Sequence, residues 1–266
     1  MSGLYDKKKK LEDILTGLGS VAVAFSYGVD STFLLKIAHG LLGNRAIAVT
    51  ATFPAFSVGE SKKAAQFCKK EGIEQIVVPF DQFSVPGFAE NPKDRCYLCK
   101  HALFSMLIKE VKARGNFALI EGSNADDAGD YRPGMRAISE LSVKSPLLEA
   151  GLTKAEIRKL SEELGLETAG KPSLACLATR FPYGERIDRS RLKMVDEAER
   201  LLFSLGFSQV RVRVHGKLAR VEVRPEEFAK AFSLASRIDG ELRKTGFEFV
   251  SLDLGGYITG SMNRTL

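Results

Sequence analysis

Four apolar runs constrain this chain more than any other feature: VAVAF (21–25), AIAVTATF (46–53), QIVVPF (75–80) and FALIEG (117–122). Each is rich in β-forming residues and almost unbroken in hydrophobicity, the pattern of a strand covered on both faces. Amphipathic stretches of 12 or more residues separate them. Strands joined by crossovers of that length run parallel. The reading is an α/β fold built on a parallel sheet. LTKAEIRKLSEELGL (152–166) supplies a further helix, with Thr153 as N-cap, Glu156 as its capping-box partner and Gly165 near its end.

From about Ile187 the pattern changes to helix (189–205), strand (209–214), strand (218–223), helix (225–244) and strand (247–254), with HGK between the first two strands as a hairpin break. This assigns residues 1–186 to the sheet domain and 187–266 to a smaller α+β domain. AGKPSLACLATRFPYGER (169–186), dense in Gly, Pro and Ser, reads as an irregular, mobile loop. KKKK at 7–10 reads as a solvated helix start. With 266 residues, 44% of them hydrophobic, the chain can bury a substantial core. No apolar run approaches the roughly 20 residues that cross a bilayer, and MSGLYDKKKK has no apolar signal region behind its lysines. A cytoplasmic protein without membrane contact is expected.

The four cysteines, Cys68, Cys96, Cys99 and Cys176, are too few for a disulfide framework in a chain this long, which leaves metal binding or catalysis. Cys68, in KKAAQFCKKEGI, reads as a structural helix residue, and His39 and His215 as ordinary helix and turn residues. In RCYLCK (95–100), two thiols three positions apart can grip one metal, whereas a closed structural site needs four ligands. A net charge of +6, from 39 Lys and Arg against 33 Asp and Glu, favours anionic partners such as nucleotides, phosphates or RNA.

The first run leads directly into FSYGVDSTFLLKIA (25–38), a small-residue turn entering a helix. The unpaired N–H groups and positive dipole end of such a helix bind phosphate at the C-terminal edge of a parallel sheet. Ser26, Gly28 and Ser31 permit close backbone approach, and Asp30 can hold magnesium or a bound water; a plain βα turn with Asp30 as a cap is the alternative. GSNADDAGDYRPG (122–134) follows the fourth run at the same edge and offers Asp126 and Asp127 as magnesium ligands, or as solvated loop acids. In KPSLACLATRFPYG (171–184), Arg180 lies four residues beyond Cys176, and an adjacent guanidinium favours the thiolate; a buried structural cysteine is the alternative. Alternation in VRVRV puts Arg211 and Arg213 on one face, and Arg220, Glu222 and Arg224 share a face in the next strand. That face is either solvated charge or a phosphate site, with Glu199 and Glu222 positioning a substrate or magnesium. Neither strand carries the stacking aromatics of an RNA-binding sheet.

SYGVDS resembles SGGxDS, the pyrophosphate-binding loop of the ATP pyrophosphatases, whose domain is adenine nucleotide alpha hydrolase-like. Tyr27 replaces the first glycine, a change expected to be tolerated because Gly28 and both serines remain. Together with DYRPG (130–134), the Cys176 loop, SLGFSQVRVR (204–213), ARVEV (219–223) and LDLGGYITGSMN (252–263), the chain resembles the LarE family of ATP-dependent sulfur transferases along essentially its whole length. The resemblance implies a role in building the nickel-pincer cofactor of lactate racemase. A carboxylate of pyridinium-3,5-dicarboxylate mononucleotide would be adenylated and then converted to a thiocarboxylate. It assigns ATP and Mg2+ to Ser26, Gly28, Val29, Asp30, Ser31, Gly122, Asp126 and Asp127, and sulfur transfer to Cys176 with Asp30 and Arg180. In that scheme the charged face read from the strand pattern, Arg211 and Arg213 with Glu199 and Glu222, would take the substrate. Family members with a CxxC bind a 4Fe-4S cluster; Cys96, Cys99 and Cys176 would hold three irons and leave the fourth for sulfide. A zinc site completed by His101 is the rival for these thiols. The resemblance further implies a trimer or hexamer and transient contact with other proteins of the nickel-pincer pathway. A tRNA thiolase and a non-catalytic nucleotide sensor are the competing functions.

Overall fold

The computed structural model describes residues 3–53, 58–129, 133–172, 175–258 and 261–262. The chain forms two compact units, Met1–Val85 with Cys96–Leu174, and Pro86–Arg95 with Ala175–Leu266.

In the first unit the elements follow in the order α1 (Leu4–Leu18), β1 (Val21–Ala24), α2 (Val29–Leu42), β2 (Ala46–Thr52), α3 (Val58–Glu71), β3 (Gln75–Pro79), α4 (Arg95–Lys112), β4 (Ala118–Ile120), α5 (Pro133–Glu140), α6 (Pro146–Ala150) and α7 (Lys154–Glu163). The strands pair in the order β3-β2-β1-β4, all parallel, with Val21 opposite both Ala46 and Ala118. Alternate residues of β1 feed opposite cores. Val21 and Val23 pack with Leu11, Leu15, Phe33 and Leu35 of α1 and α2, and Ala22 packs with Ile47, Val49, Phe104 and Leu107. These doubly covered strands are the expected α/β sheet. The exception is the edge strand β3, where Ile76 and Val78 are buried while Val77 is exposed. β3 thus shows the alternation of a strand covered on one face.

The α7 capping box forms as its sequence predicts: Glu156 N donates to Thr153 Oγ1 at 3.3 Å, and Thr153 N donates to Glu156 Oε2 at 2.8 Å. Gly165 follows with φ of +64°. Lys7–Lys10 lie inside α1, where Lys9 and Lys10 are exposed as expected, while Lys7 and Lys8 are half-buried and pair with Glu156 at 2.7 Å and Glu12 at 2.6 Å.

The second unit contains α8 (Arg189–Ser204), β5 (Val210–His215), β6 (Leu218–Val223), α9 (Phe228–Ser233), α10 (Ala235–Lys244) and β7 (Phe249–Leu252). β5 and β6 form the expected hairpin, with Gly216 at φ +59° in its turn, and β7 pairs parallel to β6. The single helix expected over 225–244 is instead a 3-10 turn at Pro225–Glu227 followed by α9 and α10. Ile238 N still donates to Leu234 O at 2.9 Å, so the backbone bends at Leu234 without losing its hydrogen bonds.

The division into units differs from a boundary at 187. Asn91 Nδ2 donates to Pro182 O at 2.6 Å, Gly184 N to Asn91 O at 2.8 Å and Ile187 N to Ala89 O at 2.8 Å. Residues 86–95 and 175–187 thus satisfy each other's polar groups, and an apolar count does not detect such pairing. Among the described residues, no helix is long and apolar enough to cross a membrane.

Candidate active site

β1 ends at Ala24, and α2 begins after Gly28, whose extended backbone (φ −81°, ψ 167°) makes it the N-cap. Ser31 ties the turn together: Ser26 N donates to its Oγ at 3.3 Å, its Oγ donates to Gly28 O at 3.3 Å, and the two serine hydroxyls lie 3.2 Å apart. Val29 is buried in the core, so only its backbone belongs to the loop. The turn opens on a cavity of about 290 Å3 at the C-terminal edge of the sheet, lined by Ser26, Gly28, Asp30 and Ser31 on one side and by Glu121, Gly122, Ser123 and Asp127 after β4. A side chain at Gly122 would put Cβ 3.2 Å from Ser31 N and 3.3 Å from Asp30 Cβ, so glycine lets these two segments meet.

Tyr27 adopts φ +58°, a left-handed conformation that glycine enters freely. Its ring is buried edge-on to Phe25 at 6.2 Å and against Phe67 at 5.9 Å, under the Lys171 ammonium at 4.4 Å. Burial, with Glu167 and Glu60 nearby, raises the phenol pKa.

The two carboxylates expected to act together are separated. Residues Ala125–Gly129 form a 3-10 turn, in which consecutive side chains diverge by about 120°. Asp127 lines the cavity and accepts from Asn124 N at 2.9 Å, whereas exposed Asp126 accepts from Lys154 N at 2.9 Å, at the start of α7. Asp30 takes the vacated role: it lines the cavity, pairs with Lys154 and accepts from Asn124 Nδ2 at 3.3 Å. Asp30 and Asp127 therefore fit magnesium, which is commonly held by one or two carboxylates together with substrate phosphates. Asp130, Tyr131 and Arg132 of the predicted loop lie outside the described residues.

Two cavity residues escape the sequence reading. Glu121 is buried just after β4 and accepts from Ser123 N at 3.0 Å and from Ser145 Oγ at 2.6 Å; the carboxylate before the last glycine of FALIEG is its signal. Lys100 belongs to RCYLCK and lines the cavity with Leu103, Phe104 and Leu107. The i, i+3, i+4, i+7 spacing of these four marks one face of a helix. RCYLCK is thus the first turn and a half of α4, and Cys96 lies one turn before Lys100 on the same stripe. Among the described residues Lys100 makes no ion pair. Tyr97 donates to Glu140 at 2.7 Å, lies beneath Arg136 at 3.7 Å and packs on His101 at 5.7 Å. Cys68 is a core residue whose thiol burial pushes up to about 12, as suits a structural cysteine. No group of three or more His, Cys, Asp or Glu placed to hold a metal ion occurs among the described residues.

In the second unit, half-buried Cys176 precedes a 3-10 turn, Leu177–Arg180. Arg180 is 1% exposed and grips Glu199 with Nε at 2.7 Å and Nη2 at 2.9 Å. Its Nη1 donates to Thr179 Oγ1 at 2.7 Å and to the backbone carbonyl of Cys176 at 3.2 Å. The guanidinium therefore anchors the turn through residue 176's carbonyl, and its charge is balanced by Glu199. Glu199 also accepts from Val212 N at 2.9 Å.

Arg211 and Arg213 are 3% and 5% exposed and Glu222 is fully buried, so their face of the hairpin is covered and the solvated reading fails. Arg213 holds Glu222 by two bonds of 3.0 Å and donates to Thr179 O at 3.0 Å. Arg211 donates to Val210 O at 2.7 Å and lies 5.1 Å from the Tyr257 ring centre. Burial, then the neighbouring Arg180 charge, pulls the Arg211 guanidinium down to about 10, still cationic at neutral pH. Residues 173–174, 259–260 and 263 of the matched motifs lie outside the described residues.

No protein-family model matches the chain. An uncharacterised protein of Synechocystis is 40% identical over 99% of both chains. An uncharacterised protein of Methanocaldococcus jannaschii is 28% identical over 89% of this chain and 90% of its own length. Pyridinium-3,5-bisthiocarboxylic acid mononucleotide synthase of Lactiplantibacillus plantarum is 36% identical over 100% of this chain and 97% of its own. With a likeness of that degree running from end to end, the chain belongs to the LarE family.

Proposed function

We propose that the protein is an ATP-dependent sulfur transferase that adenylates a carboxylate of pyridinium-3,5-dicarboxylate mononucleotide and converts it to a thiocarboxylate for a nickel-pincer cofactor. The observation that carries this reading is the cavity shared by the serine-rich turn of α2, the carboxylates Asp30 and Asp127, and Lys100 one helical turn beyond Cys96. Kinship with a synthase named for the bisthiocarboxylic acid supports the choice of substrate.

A carboxylate is a poor acyl electrophile because its leaving group would be oxide. Attack of its oxygen on the α-phosphorus of ATP releases pyrophosphate and gives an acyl adenylate, from which a sulfur nucleophile displaces AMP. The hydroxyls of Ser26 and Ser31 and the free N–H groups at the start of α2 suit the departing pyrophosphate. Lys100 balances its charge, and Asp30 and Asp127 are the residues that would hold magnesium. Cys176 is the proposed sulfur-transfer residue: sulfide displacing AMP gives the thiocarboxylate directly, whereas attack by the Cys176 thiolate gives a thioester that yields the thiocarboxylate by cleavage of the Cβ–Sγ bond with loss of the Cα proton, leaving dehydroalanine. Arg211 and Arg213 are proposed to bind the substrate phosphate; Glu222 orients the Arg213 guanidinium, and Glu199, held by Arg180, lies near Arg211. Cys96, Cys99 and Cys176 are the proposed ligands of a 4Fe-4S cluster, which would supply exchangeable sulfide. A cytoplasmic trimer or hexamer that contacts other proteins of the pathway completes the proposal.

The test is anaerobic purification with iron, sulfide and zinc analysis, followed by pyrophosphate release with the dicarboxylate mononucleotide and, separately, bulk tRNA. The mononucleotide should stimulate release; stimulation by tRNA alone would sink the reading. In Cys96→Ser, iron should be lost while ATP binding persists, and retained iron would contradict the three-thiolate site.

A further inference from the structure

We propose that the first unit carries a second ligand site, distinct from the nucleotide cavity, that takes a phosphorylated small organic molecule. A cavity of about 690 Å3 lies between α2, α3 and the chain following α7, and it shares no lining residue with the nucleotide cavity. That volume falls within the range of small-molecule sites, roughly 300–1,000 Å3, and exceeds what one phosphate fills.

Its walls are built for an anion. Lys63, Gln66, Phe67 and Lys70 of α3 line it at i, i+3, i+4 and i+7, so one stripe of the helix, exposed at Lys63, Gln66 and Lys70, presents two ammonium groups at the cavity. Lys36 and Lys171 line it too, but Lys36 pairs with Glu71 at 2.5 Å and Lys171 pairs with Glu60 while donating to Tyr27 O at 2.7 Å. Lys63 and Lys70 have no carboxylate partner among the described residues. The remaining acid on the wall, Glu167, stands near the Tyr27 hydroxyl.

A second observation points to a ligand. Thr32 and Thr168 line the same cavity, 0% and 2% exposed, and the hydroxyls of both are buried without a hydrogen-bond partner among the described residues. Buried polar groups are nearly always satisfied, so two orphans on one cavity wall call for an external partner. A phosphate monoester, carrying about two negative charges and several acceptor oxygens, meets two ammonium groups and two hydroxyls together. The rings of Phe67 and Tyr27 give the organic body an apolar wall. An occupant would touch the nucleotide loop at Tyr27 from a side the nucleotide does not use.

The experiment loads the full-length protein with magnesium and a non-hydrolysable ATP analogue, then titrates ribose 5-phosphate or inorganic phosphate by calorimetry in a buffer free of other polyvalent anions. Ribose 5-phosphate should bind more tightly than inorganic phosphate, in addition to any binding at Arg211 and Arg213, and the part of that binding that depends on Lys63 and Lys70 reports this site. Lys63→Ala with Lys70→Ala should weaken that binding by about tenfold or more while leaving analogue affinity unchanged. Thr168→Val should also weaken it; a purely structural threonine would change thermal stability and leave the titration alone. No saturable second site for either probe, equal affinity for both probes, or binding indifferent to the lysines would overturn the proposal. Because pyrophosphate release plays no part in these readings, failure here leaves the sulfur-transferase reading standing, and the converse holds.

Discussion

Tyr27 holds a backbone position that a side chain normally avoids, and its ring explains why it stays. A left-handed non-glycine residue costs about 1 kcal/mol, whereas a buried aromatic ring is worth about 3 kcal/mol. Tyr27→Gly should therefore destabilise the first unit by about 2 kcal/mol, the difference of those two terms, with little change in Mg-ATP affinity. Urea denaturation and a nucleotide titration check both halves, and a more stable glycine variant would refute the account. The substitution of a glycine is legible in SYGVDS, but its compensation is not, because Phe67 belongs to α3 and Lys171 to the chain after α7. Arg211 and Arg213 show the same limit. Alternation in VRVRV gives their shared face, while Arg213 donates to Thr179 O and Arg211 lies against the Tyr257 ring, partners that no strand pattern encodes.

Elements were more legible than their junctions. The observed strands begin and end within two residues of the apolar runs, and α7 starts where Thr153 and Glu156 require, since these signals are local. The RCYLCK helix was missed because its apolar stripe, Leu103, Phe104 and Leu107, lies downstream of the motif. The split of Asp126 from Asp127 was hidden because a 3-10 turn and an open loop look alike in an acidic, glycine-containing segment. The contact between the end of β4 and the first turn of α2 is a junction of this kind, and it rests on Gly122. In Gly122→Ala the new methyl group meets the first turn of α2 at Ser31 N and Asp30 Cβ, so the Ser26–Ser31 turn must shift by a few tenths of an ångström. Mg-ATP affinity should fall about tenfold while stability falls by about 1 kcal/mol. Unchanged affinity by calorimetry would show that the turn does not depend on this close approach.

On the scale of the molecule, the chain enters its second unit at Pro86, leaves it at Arg95 and returns at Ala175. A fragment ending at Arg186, where the sequence pattern alone would cut, keeps Arg180 but loses Glu199, and keeps residues 86–95 without α8 and β5. Size-exclusion chromatography should find it aggregated and dye binding should find exposed apolar surface; a monodisperse fragment would show that the division matters little.

The same threading fixes an order of events at the ribosome. About 80 residues separate Arg95 from Ala175, so at about 5–20 residues per second the nascent chain displays Pro86–Arg95 for about 4–16 s before the segment that covers it begins to emerge. Asn91, whose side chain and carbonyl are bonded to Pro182 and Gly184 in the finished protein, is without those partners throughout that interval.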